Sequence, residues 1–507
     1  MLRALTAEQS RAAEQQAVAT YGVSLLELME RAGEAVADEV EARFPVGSIL
    51  VMAGPGNNGG DGWVAARVLH ESGREVSVIT LRRPEDLSGE SAESARAAAA
   101  AGVRWLASEG AEMETLRSAS VVVDALLGTG SRLPLEGAVA QWCRGIADSG
   151  VPVISVDVPT GVDSDSGAVD DSAVIADLTV TFTSPKLGVV TYPGAARVGE
   201  LIVADIGIDP AITNGLSAPE VWTDDDYAAL LPIPEPMTHK NERGRVLVVA
   251  GSGRYPGAAI LAARGAMRSG AGYVTLAVPD SIVQIAQCHL LAAPVVGLPS
   301  GRSRTLSSSA ASEILSLAAE YDAVVLGPGL TLSDGSVATV RSLVAKLTKP
   351  LVIDADALNA LVDAHELIEQ RTADTVLTPH PGELARLLGE SVSRVQADRV
   401  FSSSRLAGPR RAVVLKGAGT VVSDVDRQVI ITAGTPALAT AGTGDVLSGV
   451  IGALLAQGLA PLEAGALGAY LHARAGEEAA GALTPMCVTA EDVPDYLPAA
   501  VRELLTF

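Results

Sequence analysis

The sequence predicts two α/β domains in tandem, each built on a mostly parallel sheet with helices on both faces. Three observations carry this. Strand-like and helix-like segments alternate through both halves of the 507 residues. The alternation breaks once, near the middle. Ala, Gly and Val supply most of the apolar mass, while aromatics make up only 3% of the chain. Small and β-branched residues suit buried parallel strands and closely packed helices, not a β-sandwich.

In the first half, apolar β-branched runs fall at residues 48–53, 75–80, 120–127, 152–157, 177–183 and 200–206. Ala/Glu/Arg-rich stretches with helical spacing, such as 61–72, lie between most of them, the pattern of βαβ units. The texture changes around 208–240. Asp209-Pro210, Asn214-Gly215, the acidic 224–226 and the string Pro232-Ile-Pro-Glu-Pro236 punctuate the chain. Prolines at that density favour an extended connector. It is placed over 216–235, between a first domain of residues 1–215 and a second of 236–507. A fresh alternation starts at 245–250 and continues at 273–278, 322–326, 350–354, 374–378, 411–415, 421–423 and 429–432.

Composition narrows the partners. Sixty acidic against 37 basic residues give a net charge of −23, which repels polyanions at long range. Nucleic acid and anionic membranes are therefore excluded as main ligands. The uncharged stretches 281–301 and 446–462 are broken by Gln, His, Pro or Gly, and neither reads as a spanning helix of about 20 apolar residues. The N-terminus lacks the apolar core of a signal peptide. Cys143, Cys288 and Cys487 are far apart with no CxxC, which argues against a disulfide framework or a zinc site. A cytoplasmic protein is expected.

Two constellations carry chemistry. In the first, an apolar strand runs into Gly54-Pro-Gly-Asn-Asn-Gly-Gly-Asp-Gly62 and then a helix. Glycines at such a turn let backbone N–H groups approach a phosphate, and the helix start adds positive charge. A tight turn needing positive φ is the plain alternative; Asn57, Asn58 and Asp61 add ligating groups that a turn does not need. Two further strand ends carry an acid before a glycine turn, Asp124 before Gly128-Thr-Gly130 and Asp157 before Pro159-Thr-Gly161. Ligands of open α/β sheets bind outside the carboxyl ends of the strands, so these ends converge on one cleft.

The second constellation is Thr440-Ala-Gly-Thr-Gly-Asp-Val-Leu-Ser-Gly449, leading into an apolar helix. Gly442, Thr443 and Gly444 present backbone N–H groups at a helix start, an anion hole for a phosphoryl group. Asp445 beside it can take the proton of an attacking hydroxyl. The plain alternative is a helix with an acid in its first turn.

Leu28-Met-Glu-Arg-Ala-Gly33, the nine-residue glycine segment, Asp124-Ala-Leu-Leu-Gly-Thr-Gly130 and Asp157-Val-Pro-Thr-Gly161 resemble the NAD(P)H-hydrate epimerase family over residues 1–215. The resemblance implies a Rossmann-like three-layer α/β/α domain. It implies that Asn57, Asn58, Gly59, Gly60 and Asp61, the turn Gly128, Thr129, Gly130, Ser131, Arg132, Leu133 and Pro134, and Asp157 hold the hydrated nucleotide. It also implies a potassium ion on Asn58, Asp124 and Thr160. Asp157, assisted by the family's lysine at Lys186, would manage the proton when the C6–O bond of the hydrated ring is broken and remade.

The AGTGD motif resembles the ribokinase-like superfamily. Within it, Gly251-Ser-Gly-Arg-Tyr-Pro-Gly-Ala-Ala259, Leu326-Gly-Pro-Gly-Leu330, Asp354-Ala-Asp-Ala-Leu-Asn359, Thr378-Pro-His-Pro-Gly-Glu383 and Lys416-Gly-Ala-Gly-Thr420 resemble the NAD(P)H-hydrate dehydratase family, in family order. The resemblance implies a ribokinase-like α/β/α domain. Lys416, Gly417, Ala418, Gly419 and Thr420, with Gly442, Thr443 and Gly444, would bind the adenine nucleotide. Ala258, Gly329, His380 and Asp445 would face the hydrate, and Glu383 would hold Mg²⁺ through water. His380 also reads as a turn histidine before proline. The two together resemble a bifunctional repair family that acts on the NADH and NADPH hydrates with ADP as phosphate donor, releasing AMP and phosphate, and a homo-oligomer is expected. Two rivals stand beside this: a kinase of a vitamin-precursor alcohol with an accessory first domain, and a catalytically silent nucleotide-binding module.

Overall fold

In this computed structural model residues 1–107 and 112–506 are described, and the chain divides into two units, Leu2–Pro219 and Glu220–Phe507, the latter with Met1. The first unit holds an all-parallel sheet in the order Arg104–Ala107, Val76–Thr80, Ile49–Ala53, Val121–Ala125, Val153–Val156, Leu178–Phe182, Glu200–Ala204. The strand order reverses between Ile49–Ala53 and Val121–Ala125, the point where doubly wound sheets open a ligand crevice. Alternation along Ile49–Ala53 divides the core. Ile49, Val51 and Ala53 pack under Val36, Val40, Trp63 and Leu69, while Leu50 and Met52 face Trp142, Cys143 and Ile146. Three layers result.

The glycine segment differs from its sequence reading. The loop is only Gly54–Gly56, and the helix already begins at Asn57 and runs to Glu71. Its glycines are not positive-φ positions. They are sites of close approach: a Cβ on Gly59 would stand 1.9 Å from the Gly54 carbonyl oxygen, and one on Gly62 2.5 Å from Ala125 Cβ. The first two turns of the helix thus press onto the strand ends, and side chains cannot be accommodated there.

In the second unit the strands run Glu220–Val221, Gln428–Ile430, Val421–Ser423, Arg411–Leu415, Thr375–Leu377, Leu351–Ile353, Ala323–Leu326, Arg245–Val249, Tyr273–Pro279, Val295–Leu298. All neighbours are parallel except the hairpin of Arg411–Leu415, Val421–Ser423 and Gln428–Ile430. One face is covered by Pro256–Arg268, Thr443–Ala456, Pro461–Leu483 and Val493–Leu505, the other by Ala310–Ala318, Asp334–Lys346 and Pro381–Leu388. Helices Pro256–Arg268 and Thr443–Ala456 cross with backbones nearly touching. A Cβ on Gly449 would lie 1.9 Å from the Ala262 carbonyl oxygen, and one on Gly265 2.3 Å from that of Val446. Here the glycine-rich composition finds its use.

The segment expected as a connector is ordered in part. Glu220–Val221 pairs with the strand Gln428–Ile430. Trp222 and Tyr227 are buried, with Tyr227 stacked on Tyr470 at 3.9 Å between ring centroids. Arg427 grips the Glu220 carboxylate through two nitrogens, at 3.1 and 2.9 Å. The strands Arg104–Ala107 and Val295–Leu298 are additions to the sequence reading. Among the described residues, no helix is long and apolar enough to cross a membrane. The cysteines are free, Cys143 buried and Cys288 and Cys487 exposed.

Candidate functional site

The first unit gathers its polar residues at the carboxyl ends of the strands. Asp124, fully buried, accepts hydrogen bonds from Thr160 Oγ1 (2.7 Å), Thr160 N–H (2.9 Å), Ser155 Oγ (2.9 Å) and Leu126 N–H (3.3 Å). Burial nevertheless raises its pKa, and among the described residues no Lys, Arg or His forms an ion pair with it. Asn58, at the start of its helix, has its Oδ1 2.8 Å from where a Gly128 Cβ would be, and its Nδ2 is buried without a partner. A buried carboxyl with no cation of its own, a hydroxyl and an amide are oxygen donors suited to a hard monovalent ion. The residues fit potassium.

Asp157 lies at the end of Val153–Val156 in the left-handed region, at φ 64°. Such strain in a non-glycine residue persists only where surrounding structure fixes it. Its carboxylate pairs with the buried ammonium of Lys186 and accepts from Thr181 Oγ1 at 3.0 Å. Lys186 Nζ donates to the same Thr181 oxygen at 3.1 Å. Asp61, on the second turn of its helix, faces this pair. Burial, then the negative charges of Asp157 and Glu14, push its carboxyl well above the usual carboxylate range. Of the predicted turn, Gly128 is buried, Gly130 and Arg132 are exposed, the Ser131 N–H bonds the Gly128 carbonyl at 3.0 Å, and the Ser131 Oγ is buried without a partner.

In the second unit Gly442 caps Thr443–Ala456 at φ 100°, a conformation glycine adopts without penalty. Lys416 Nζ lies 3.4 Å from where a Gly444 Cβ would be, so the ammonium stands over the helix start. It bonds Asp354 Oδ1 at 2.7 Å and is 4.0 Å from Glu383 Oε2. Burial opposes the lysine's charge, but Asp354, Glu383 and Asp445 outweigh it and raise its pKa. Ser448 Oγ holds the other Asp354 oxygen. Asp445 is pushed up to about 7, first by burial and then by the charge of Asp354. A base with that pKa is suited to work near neutrality.

His380 is a helix cap. Its Nδ1 accepts from the Gly382 and Glu383 N–H groups at 3.0 and 3.3 Å, while Glu383 Oε2 accepts from the His380 N–H at 2.8 Å. Burial and the neighbouring Lys416 lower the histidine's pKa, consistent with a neutral ring. Burial raises that of Glu383. Among the described residues no three His, Cys, Asp or Glu cluster as a metal site. Glu383 offers a single-carboxylate foothold, the kind Mg²⁺ uses when phosphate and water supply the rest. Gly329, at φ 64°, packs against Ala258, a Cβ there meeting that of Ala258 at 2.9 Å. The segment from Lys416 through Gly417, Ala418 and Gly419 to Thr420 turns between two strands and is held from below by Arg399. That buried guanidinium donates to the carbonyls of Leu415, Lys416 and Gly419 at 2.9, 3.2 and 3.3 Å. His472, buried, bonds the Thr443 carbonyl at 2.9 Å.

Comparison with known proteins agrees with this division. A family model described as NAD(P)H-hydrate dehydratase matches residues 246–499, and one described as YjeF-related protein N-terminus matches 25–188. The "Bifunctional NAD(P)H-hydrate repair enzyme Nnr" of Thermofilum pendens is 42% identical over 97% of this chain and 94% of that protein. The protein of the same name from Moorella thermoacetica is 39% identical over 99% and 97%. The chain belongs to the bifunctional NAD(P)H-hydrate repair family. A solved structure, "ADP/ATP-dependent NAD(P)H-hydrate dehydratase from Bacillus subtilis co-crystallized with ATP/Mg2+", is 29% identical, covers 56% of this chain and 99% of that one, and has a TM-score of 0.49.

Against this family frame, several residues around the sites had no role in the sequence reading: Glu14, Thr181, Asp354, Arg399, Ser448 and His472. Asp354 lay inside a quoted motif but without a function, and Glu14 lies ahead of the stretch matched by the N-terminal model. A helical register that turns one acid of Ala7–Tyr21 toward the glycine segment would have been the signal for Glu14.

Proposed function

We propose that this chain repairs hydrated NADH and NADPH, epimerising the R and S hydrates in its first unit and dehydrating the S form in its second with ADP, to give AMP and phosphate. The observation that carries the reading is full-length likeness to bifunctional repair enzymes on a chain that has both acid–base centres, Asp157 with Lys186 and Asp445 with Lys416.

In the second unit Asp445 takes the proton of the ring hydroxyl as it attacks the terminal phosphate. The amides of Gly442, Thr443 and Gly444 and the Lys416 ammonium receive the developing charge. The ring nitrogen's lone pair then expels phosphate, a far better leaving group than hydroxide, and loss of a proton from C5 of the resulting iminium returns the dihydronicotinamide. Gly417, Ala418, Gly419 and Thr420 carry the nucleotide, with Ala258, Gly329 and His380 toward the hydrate. Glu383 would hold Mg²⁺ through water, which would neutralise phosphate charge. In the first unit Asn57, Asn58, Gly59, Gly60, Asp61 and the turn 128–134 embrace the hydrate, and Asp157 handles the proton at C6. Potassium on Asn58, Asp124 and Thr160 would supply a fixed positive charge for the substrate's phosphates. The Ala/Gly-rich helices support assembly as a homo-oligomer, and the free thiols a cytoplasmic setting.

The test is to incubate hydrated NADH, as both epimers, with the protein and ADP or ATP. Recovery of the reduced-cofactor absorbance with release of phosphate is expected. No recovery with either nucleotide overturns the reading, and a stable phosphorylated product would favour the kinase.

A further inference from the structure

The epimerase centre holds more acid than one proton transfer needs. The Lys186 ammonium is shared by Asp157, with which it pairs directly, and by two further carboxyls, Asp61 and Glu14, which come within its electrostatic reach. Neither Asp61 nor Glu14 has a hydrogen-bond or ion-pair partner among the described residues. A carboxyl taken from water without a partner costs stability, and such groups gather at functional sites.

Glu14 arrives there by a built path. The Leu5 N–H donates to the Pro185 carbonyl at 2.9 Å and the Leu187 N–H to the Leu5 carbonyl at 2.8 Å, which brackets Lys186. The Ala7 N–H bonds Asp165 Oδ1 at 2.6 Å. Thr6 then caps helix Ala7–Tyr21 in a box with Gln9. With Ala13 and Ala17 buried, the helix lies against the unit and Glu14, between them in sequence, is half-buried. Asp61 comes from a different element, the helix whose first residues include Asn57 and Asn58.

We propose that Asp61 is the second acid–base group of the epimerase centre, partner to Asp157, and that Glu14 is a positioning residue that sets the charge state of Asp61. This rests on the epimerase reading above. The C6–O bond breaks as Asp61 gives its proton to the departing hydroxyl, which leaves as water, while the ring nitrogen's lone pair forms the C6=N bond. Water then adds to the other face of C6, the electron pair returns to nitrogen, and Asp157 takes the proton of the added water. Asp61 is left ionised and Asp157 protonated, the starting state for the reverse direction, and exchange with solvent restores the first state. Two carboxyls held in unlike environments can divide the work in this way. Asp157 pairs with the Lys186 ammonium and accepts from Thr181 Oγ1. Burial, then the negative charges of Asp157 and Glu14, push the Asp61 carboxyl well above the usual carboxylate range, against the opposing charge of Lys186. Glu14 in turn faces Lys186, Asp157 and, on its own helix, Arg11.

The test follows epimerisation of the purified R hydrate by the full chain across pH, without nucleotide. Asp61→Asn should lower the maximal rate by ~10²–10⁴, the range for a positioned acid–base group. Glu14→Gln removes a negative charge near Asp61, so Asp61 should lose its proton at lower pH and the alkaline limb of the profile should move down. Glu14→Asp should restore the wild-type limb, which a merely structural role would not require. An Asp61→Asn enzyme at full rate, or a Glu14→Gln enzyme whose limb does not move, overturns the proposal. If the wild-type chain itself does not epimerise the hydrate, the parent reading fails instead.

Discussion

Asp445 is a residue whose environment dictates a pH profile. Burial and the charge of Asp354 hold its pKa at about 7, and only its carboxylate can accept the hydroxyl proton. Dehydration of the S hydrate at saturating ADP should therefore decline as pH falls through about 7. Asp445→Asn should cost ~10²–10⁴ in rate while epimerisation persists. The same substitution should affect stability with the opposite sense. A carboxyl whose folded pKa is raised binds its proton more tightly when folded, so the wild type loses stability as pH rises from the ordinary carboxylate range toward 7. Asp445→Asn should abolish that loss, seen as a higher Tm than wild type at pH 8 and little difference at pH 4. Asp445, Lys416 and Asp157 were legible because short motifs carry them. Asp354 as the lysine's partner was not, because the pair is made across 62 residues by strand order. Glu14 was hidden for the same reason, since contacts distant in sequence, among them the bridge between Leu5 and Lys186, bring its helix to the site.

At the scale of elements, the central strands and the edge strand Glu200–Ala204 were readable from apolar runs, while the edge strands Arg104–Ala107 and Val295–Leu298 were not. Leu351–Ile353 and Arg411–Leu415 are buried along nearly their whole length and look it in sequence. Val295–Leu298 carries a glycine and is only partly buried, so its apolar signal is weak. The glycine segment misled in a different way. Its composition suggested a loop open to phosphate, whereas Gly59 and Gly62 are small because helix and strand collide without them. The same reasoning makes the helix crossing beneath Asp445 a sensitive element. Gly449→Ala places a methyl group within 1.9 Å of the Ala262 carbonyl oxygen, so the helices must part. A loss of roughly 1–3 kcal/mol is expected from such overpacking, measurable by denaturant unfolding. Dehydration should fall by more than the stability loss explains, because Asp445 rides on the displaced helix. Unchanged stability in Gly449→Ala would refute this account of the crossing.

For the whole molecule, two centres on separate units mean that each can be silenced alone. Given both epimers and ADP, the wild type should consume all the hydrate. Asp157→Ala should stop near the S fraction and continue only at the spontaneous epimerisation rate, which chiral chromatography of the residue would reveal as pure R form. Rapid complete consumption would remove Asp157 from its role. The strand Glu220–Val221 bears on how the two activities could ever have been joined or parted. The proline string at 232–236 looks like the natural seam, yet cutting there would strip the dehydratase of an edge strand, two core aromatics and the carboxylate that Arg427 clasps. A gene split at that point should yield an aggregating product, and one split before Glu220 a folded enzyme. The border between the two units thus falls at a glutamate held in the second, upstream of every proline in that string.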